Sequence, residues 1–341
     1  MADNTGIEWT DATWNPVVGC SIVSPGCTNC YAMQMAARIE KMQPESHYAG
    51  TTKRVNGNAV WTGKVALAPD HILTAPLRWT KPRRIFVNSM GDLFHESVPD
   101  EWIDRVFAVM ALCPQHTFQI LTKRSWRMRE YCGDIEGSYN IATAILDLLI
   151  DRKIDGKITD ESNPLADERA DDDPALKKWP LPNVWLGVSA EDQARADERI
   201  PDLLAIPAAV RFVSAEPLLS ALDLVPYLSP HFQSESADFP KLGELDWVIA
   251  GGESGPSARP MHPDWARSIR DQCQDARVPF FFKQWGQWAP WDDDNWSLPD
   301  GWDDVEAHDK AITIDGVEFL SVGKRRAGRL LDGREWREFP K

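Results

Sequence analysis

The chain has 341 residues, 43% of them hydrophobic, enough for one large domain or two ordinary ones with a sizeable core. No apolar run reaches the roughly 18 residues of a membrane span, and Met1-Ala2-Asp3-Asn4-Thr5 lacks the basic and apolar stretches of a signal peptide, so a cytoplasmic protein with no membrane partner is expected. The net charge of −15 speaks against broad non-specific adhesion to nucleic acid, which depends on neutralising phosphates.

A first strand is expected near Val17-Val18, and directly after it comes Gly19-Cys20-Ser21-Ile22-Val23-Ser24-Pro25-Gly26-Cys27-Thr28-Asn29-Cys30-Tyr31. The spacing of Cys20, Cys27 and Cys30 is C-x6-C-x2-C, in a loop bent by Gly and Pro with a helical pattern behind it. Buried hydrophobic use suits Cys113, Cys132 and Cys273, which stand alone in apolar or helical contexts, but not three thiols among Gly, Ser, Pro, Thr and Asn. A disulfide would strand one of the three. Zinc would want a fourth ligand, such as His47 or His71, whereas an iron–sulfur cluster on three thiolates keeps an open position where chemistry happens. Cytoplasmic thiols stay reduced and ligate metals, so both readings stand at this point.

Farther along, short apolar runs recur, each followed by a polar cluster. Ile85-Phe86-Val87 leads to Asn88-Ser89-Met90-Gly91-Asp92, and Phe118-Gln119-Ile120-Leu121 to Thr122-Lys123-Arg124. Val184-Trp185-Leu186-Gly187-Val188 leads to Ser189-Ala190-Glu191, and Val210-Arg211-Phe212-Val213 to Ser214-Ala215-Glu216. Trp247-Val248-Ile249-Ala250 leads to Gly251-Gly252-Glu253-Ser254-Gly255, and Pro279-Phe280-Phe281-Phe282 to Lys283-Gln284. Such runs predict buried parallel strands. Segments 99–112, 191–204 and 262–273 have helical spacing, so the class is α/β, with about seven units that curl into a full or partial barrel.

In a parallel barrel the carboxyl ends of the strands share one face, where active sites sit. Cys20, Cys27, Cys30, Asp92, Lys123, Glu191, Glu216, Glu253 and Lys283 are therefore expected around one mouth, with helix caps and loop salt bridges as the plain alternative for any single one. The 251–255 loop matches neither the dinucleotide fingerprint nor the P-loop, but suits close approach to a small cofactor. Residues 43–68 and 133–183 break the rhythm as insertions. The second holds a helical segment at 141–150 and an acidic run at 151–173 with nine acids against four bases. A second acidic run covers 291–306. A barrel domain over 1–284 is expected, followed by a loop-rich extension over 285–341 with a small hairpin near 312–319. The 16 Trp residues are expected mainly to pack rims and fasten loops rather than to stack on bases.

A cysteine loop behind the first strand of a partial α/β barrel, with polar ends on the later strands, resembles the radical S-adenosylmethionine superfamily. Within it the chain looks like an uncharacterised three-cysteine family common in phages and prophages. The matching stretches include Ile7-Glu8-Trp9-Thr10-Asp11-Ala12-Thr13-Trp14-Asn15-Pro16, the cysteine loop, Asn88-Ser89-Met90-Gly91-Asp92-Leu93-Phe94-His95, Leu121-Thr122-Lys123-Arg124 and Ala327-Gly328-Arg329-Leu330-Leu331-Asp332-Gly333-Arg334. More distantly it is similar to spore photoproduct lyase, a radical enzyme that repairs DNA. It departs from the superfamily in its six-residue first gap, where three is usual. Asn29 stands where an aromatic is common, and Ser89-Met90-Gly91-Asp92 replaces Gly-Gly-Glu.

The resemblance implies a partial (β/α)6-type barrel and a [4Fe–4S] cluster on Cys20, Cys27 and Cys30. The fourth iron would bind S-adenosylmethionine, and the pair would generate a 5′-deoxyadenosyl radical that abstracts hydrogen from substrate. Ser89 and Asp92 would then approach the methionine amino group. Ser189, Glu191 and Gly251, Gly252 and Glu253 would hold ribose, carboxylate or adenine, with Lys123 and Glu216 nearest the substrate. A nucleic acid or nucleotide is the implied substrate, met through Lys81-Pro82-Arg83-Arg84, Lys123-Arg124 and the basic tail 324–341. A partner protein and an electron donor such as flavodoxin or ferredoxin are also implied. Two other classes stand beside this one: a zinc-stabilised nucleic-acid-binding protein, and a barrel hydrolase that holds a divalent metal through Asp92, Glu216 and Glu253.

Overall fold

Seven of the apolar runs become strands of one sheet in the computed structural model, which describes residues 5–133, 141, 143–145, 179–228, 243–291 and 311–341. The strands are β1 (Ala12–Trp14), β2 (Arg84–Val87), β3 (Thr117–Thr122), β4 (Val184–Ser189), β5 (Val210–Ala215), β6 (Trp247–Ala250) and β7 (Phe280–Phe282). They are parallel and follow one another across the sheet in chain order. Every residue of β6 and β7 is buried, as expected of strands covered on both faces.

Consecutive order means that the sheet never reverses direction of winding, unlike a doubly wound nucleotide-binding sheet with its switch point. That winding is the one a partial barrel uses. Between the strands lie the helices α1 (Tyr31–Met42), α2 (Asp100–Ala111), α3 (Ser125–Gly133), α4 (Gln193–Leu204) and α5 (Pro263–Ala276). Helix α2 starts behind Pro99, carries Asp100 and Glu101 at its positive end, and buries Ile103, Val106, Phe107 and Met110. Helix α5 starts at His262, whose ring accepts the Asp264 amide, and stops at Arg277 in the left-handed region.

One expected strand is misplaced. Val17-Val18 pairs antiparallel with Ala66–Leu67 outside the main sheet, and Ala12–Trp14 is the strand that pairs with β2. Pro16 follows Asn15, and the sheet position at the end of β1 is closed by Asn88 N–H on the Trp14 carbonyl. The excursion at 43–68 also holds a hairpin, Thr52–Val55 with Asn58–Trp61. The expected hairpin near 312–319 is present as Ala311–Ile314 with Val317–Ser321, and Trp288–Trp291 joins it as a third strand. Most of the insertion 133–183, with segment 141–150, and the acidic runs 151–173 and 291–306 lie outside the described residues, apart from a few positions.

The chain divides into two units. One comprises Met1–Ile22, Ala32–Gly187 and Asp202–Arg211; the other comprises Val23–Tyr31, Val188–Pro201 and Phe212–Lys341. No described helix is long and apolar enough to cross a membrane. Several tryptophans fasten loops within a unit, since the indole N–H of Trp14 donates to Ile72, that of Trp285 to Leu330 and that of Trp288 to Ala258.

In the first unit the buried Asp104 accepts a 2.6 Å bond from the Tyr131 hydroxyl. Burial raises the Asp104 carboxyl above its ordinary value, and the Tyr131 bond partly offsets this. A raised carboxyl favours the proton-bound folded state, so that contribution is present at acid pH and is lost as pH rises through the folded value. Losing the hydroxyl raises it further. Tyr131→Phe is expected to cost about 2 kcal/mol at neutral pH and less near the ordinary carboxyl value of 3.8. Denaturant midpoints across pH check this, and a penalty independent of pH would refute it.

Candidate functional site

In the first unit the cysteine loop begins at Gly19, whose φ of 90° and contact with the Lys64 carbonyl leave no room for a Cβ. Gly19 N–H donates to Met90, and the Cys20 carbonyl accepts from Gly63. Cys20 is half-buried, and its Sγ accepts from an Arg124 nitrogen at 3.4 Å. Arg124 stands just past β3 with only 2% of its side chain exposed. The same nitrogen donates to Asp92 at 3.1 Å, Nε donates to Glu96 at 3.1 Å, and the second terminal nitrogen donates to the Ser21 hydroxyl at 2.6 Å. Burial opposes the Arg124 charge, but Asp92, Cys20 and Glu96 outweigh it and push its pKa up.

Asp92 is itself fully used. It accepts from the Thr122 hydroxyl at 2.7 Å and from the amides of Lys123 and Phe94. His95 completes the cluster. Burial, then Arg124, hold its pKa below the ordinary value, which favours the neutral ring. Its Nδ1 accepts from the Ser97 amide, which leaves Nε2–H facing the Ser21 hydroxyl at 3.0 Å. The Ser89 hydroxyl donates to Asn15, and Lys123 is half-buried.

In the second unit the loop continues through Cys27, which is buried, and Cys30, which is half-buried at the start of α1. The loop backbone is held at three points. Gly26 N–H donates to Glu191 at 3.2 Å, the Pro25 carbonyl accepts from Arg259 at 3.0 Å, and Asn29 donates to Glu253 at 3.1 Å. Glu191 is 0% exposed and pairs with Arg199 at 3.1 Å, and Arg199 also donates to the Ser189 carbonyl. Glu191 was expected inside a helix, but α4 starts two residues later, at Gln193. Burial raises the Glu253 carboxyl, while Arg259 and Asn29 outweigh it and hold it below the ordinary range.

Glu216 pairs with Lys283 at 3.1 Å. A Cβ on Gly251 would collide with Glu216, and one on Gly252 would overlap the Trp285 carbonyl. Both glycines are therefore required for close approach of the chain to itself. Arg124 is not available to phosphates as expected, because its three nitrogens are spent inside the protein. Arg84 pairs with Asp11, and Arg83 lies over the Trp79 ring.

None of the six cysteines is in a disulfide. Burial pushes Cys113 up to about 12 and raises Cys132 and Cys273 as well, as expected of inert interior thiols. Among the described residues, no three His, Cys, Asp or Glu side chains are gathered as metal ligands. The donors in the loop, three thiols of which Cys20 meets Arg124 and Cys27 meets the Ser24 hydroxyl at sulfur, are of the type that suits a soft thiolate-bound metal or cluster.

Sequence reasoning missed Arg199, Arg259, His95, Glu96 and Ser21. One signal was available: Arg199 follows Glu191 by eight positions, and Arg259 follows Glu253 by six.

The fold defines an α/β protein with a singly wound parallel sheet. A family model described as "Protein of unknown function (DUF5131)" matches residues 4–340, and the chain belongs to that family. No curated protein and no solved structure matches it.

Removing one partner of a buried ion pair strands the other charge. Arg199→Met is expected to cost about 3–5 kcal/mol. The Glu191→Gln, Arg199→Met double variant should lose less, because no charge is left buried. Urea unfolding of the three proteins decides this, and a double variant as unstable as the single would refute it.

Proposed function

We propose that this protein is a radical S-adenosylmethionine enzyme that holds a [4Fe–4S] cluster on Cys20, Cys27 and Cys30. The observation that carries the reading is the cysteine loop itself. Three thiols lie within eleven residues, and ion-paired groups brace the loop at Cys20, Pro25, Gly26 and Asn29. Buried arginine–carboxylate pairs are costly to assemble, and here two of them and a third, half-buried one reach one short loop. The cluster and cofactor, when bound, supply an electron and a carbon-centred radical for hydrogen abstraction.

Asp92 holds the loop through Arg124, Glu191 holds it directly at Gly26, and Glu253 holds it both at Asn29 and through Arg259. Gly251 and Gly252 keep the chain close to Glu216 and Trp285, and the 251–255 backbone is a candidate for cofactor contact. Ser189 and Ser89 remain candidates for cofactor contact, and Lys123 and the Glu216–Lys283 pair for substrate. The substrate class is a nucleic acid or nucleotide, in keeping with the resemblance to a DNA-lesion lyase. The charge of −15 favours few phosphate contacts, with a partner protein to supply further basic surface. Flavodoxin or ferredoxin would deliver the electron.

Anaerobic reconstitution is expected to yield a brown protein with about four irons per chain. Given a reductant and S-adenosylmethionine, it should release 5′-deoxyadenosine, and Cys27→Ala should abolish both. A colourless protein with one zinc would favour the zinc-stabilised alternative. Iron binding that Cys27→Ala leaves unchanged would refute the cluster assignment.

A further inference from the structure

Arg124 is an unusual residue to find fully buried beside a cysteine. All three guanidinium nitrogens are engaged: Nε with Glu96, one terminal nitrogen with both Asp92 and Cys20 Sγ, and the other with the carbonyl and hydroxyl of Ser21. The fork is planar, so its two carboxylate bonds and its Ser21 bonds fix the direction of the N–H that meets sulfur. His95, held neutral on the far side of Ser21, adds no competing charge. The cation is itself buried and sits at one half-buried thiol, where its field is less screened than at the surface.

A hydrogen bond and a positive charge at a ligating sulfur draw electron density away from the metal and favour the reduced, more negative state. Asp92 and Glu96 act in the opposite sense, because each carboxylate offsets part of the guanidinium charge. We propose that Arg124 is a positioning residue that sets the reduction potential of the cluster through Cys20, with Glu96 as the counterweight. The inference rests on the reading of Cys20 as a cluster ligand. It adds a role for a residue whose sequence position suggested phosphate binding.

The two partners predict shifts of opposite sign, which a merely structural role does not. The full-length protein is reconstituted anaerobically, and the cluster is titrated against mediators with electron paramagnetic resonance of the reduced form as readout. Arg124→Gln is expected to move the midpoint to more negative potential, and Arg124→Lys by less, since the charge stays but the fork is lost. Glu96→Gln is expected to move it to more positive potential. Glu96 is 44% exposed at its side chain, so this variant keeps the proposal falsifiable even where Arg124→Gln fails to fold. Unchanged midpoints in variants that retain the wild-type iron content would overturn the role of Arg124. A wild-type protein that takes up no cluster would instead overturn the functional reading on which the proposal rests.

Discussion

A buried guanidinium must be matched by buried carboxylate, and much of this protein's polar interior follows from that constraint. Arg124 is paired with Asp92 and Glu96, and Arg199 with Glu191; Arg259, less buried, is paired with Glu253. Each pair includes an acid that follows a strand of the parallel sheet, and each touches the loop that carries the cysteines. Each of these charges is paired, so the loop inherits the order of the strands.

That arrangement changes what the polar strand ends are for. Read singly, Asp92, Glu191 and Glu253 look like ligands waiting for a cofactor. In the folded chain their oxygens are occupied by arginines, amides and hydroxyls. What they do in the folded chain is fasten the cysteine loop, directly or through their arginine partners. The glycines at 251 and 252 tell the same story, since what approaches them closely is Glu216 and the Trp285 carbonyl. The same accounting narrows the nucleic-acid hypothesis. Arg124 and Arg84 are committed to carboxylates, so an acidic protein meets phosphate through fewer side chains than a count of basic residues suggests.

Strands β2 to β7 were legible because a strand buried on both faces must be apolar throughout, and such runs end abruptly in polar residues. Helices α2, α4 and α5 were legible from their period, with boundaries shifted by one to three residues. The first strand was not. Ala12-Thr13-Trp14 is as short as Val17-Val18 and carries a Thr, so nothing local distinguishes the strand that joins the sheet from the one that pairs with Ala66–Leu67. The choice is made by partners 48 to 73 positions away in sequence.

The sequence by itself determined the α/β class, the order of the parallel strands and the place of three thiols in a short Gly- and Pro-bent loop. These follow from hydrophobic period and residue spacing, which are local properties of the chain. Only the tertiary structure decided which charges are spent on one another. Whether Arg124 meets a phosphate or the sulfur of Cys20, and whether Glu253 meets a cofactor or Arg259 and Asn29, depends on desolvation and on pairing across up to 224 positions of sequence. Burial penalises an unpaired charge, so the fold selects the partners, and no reading of neighbours along the chain reveals them.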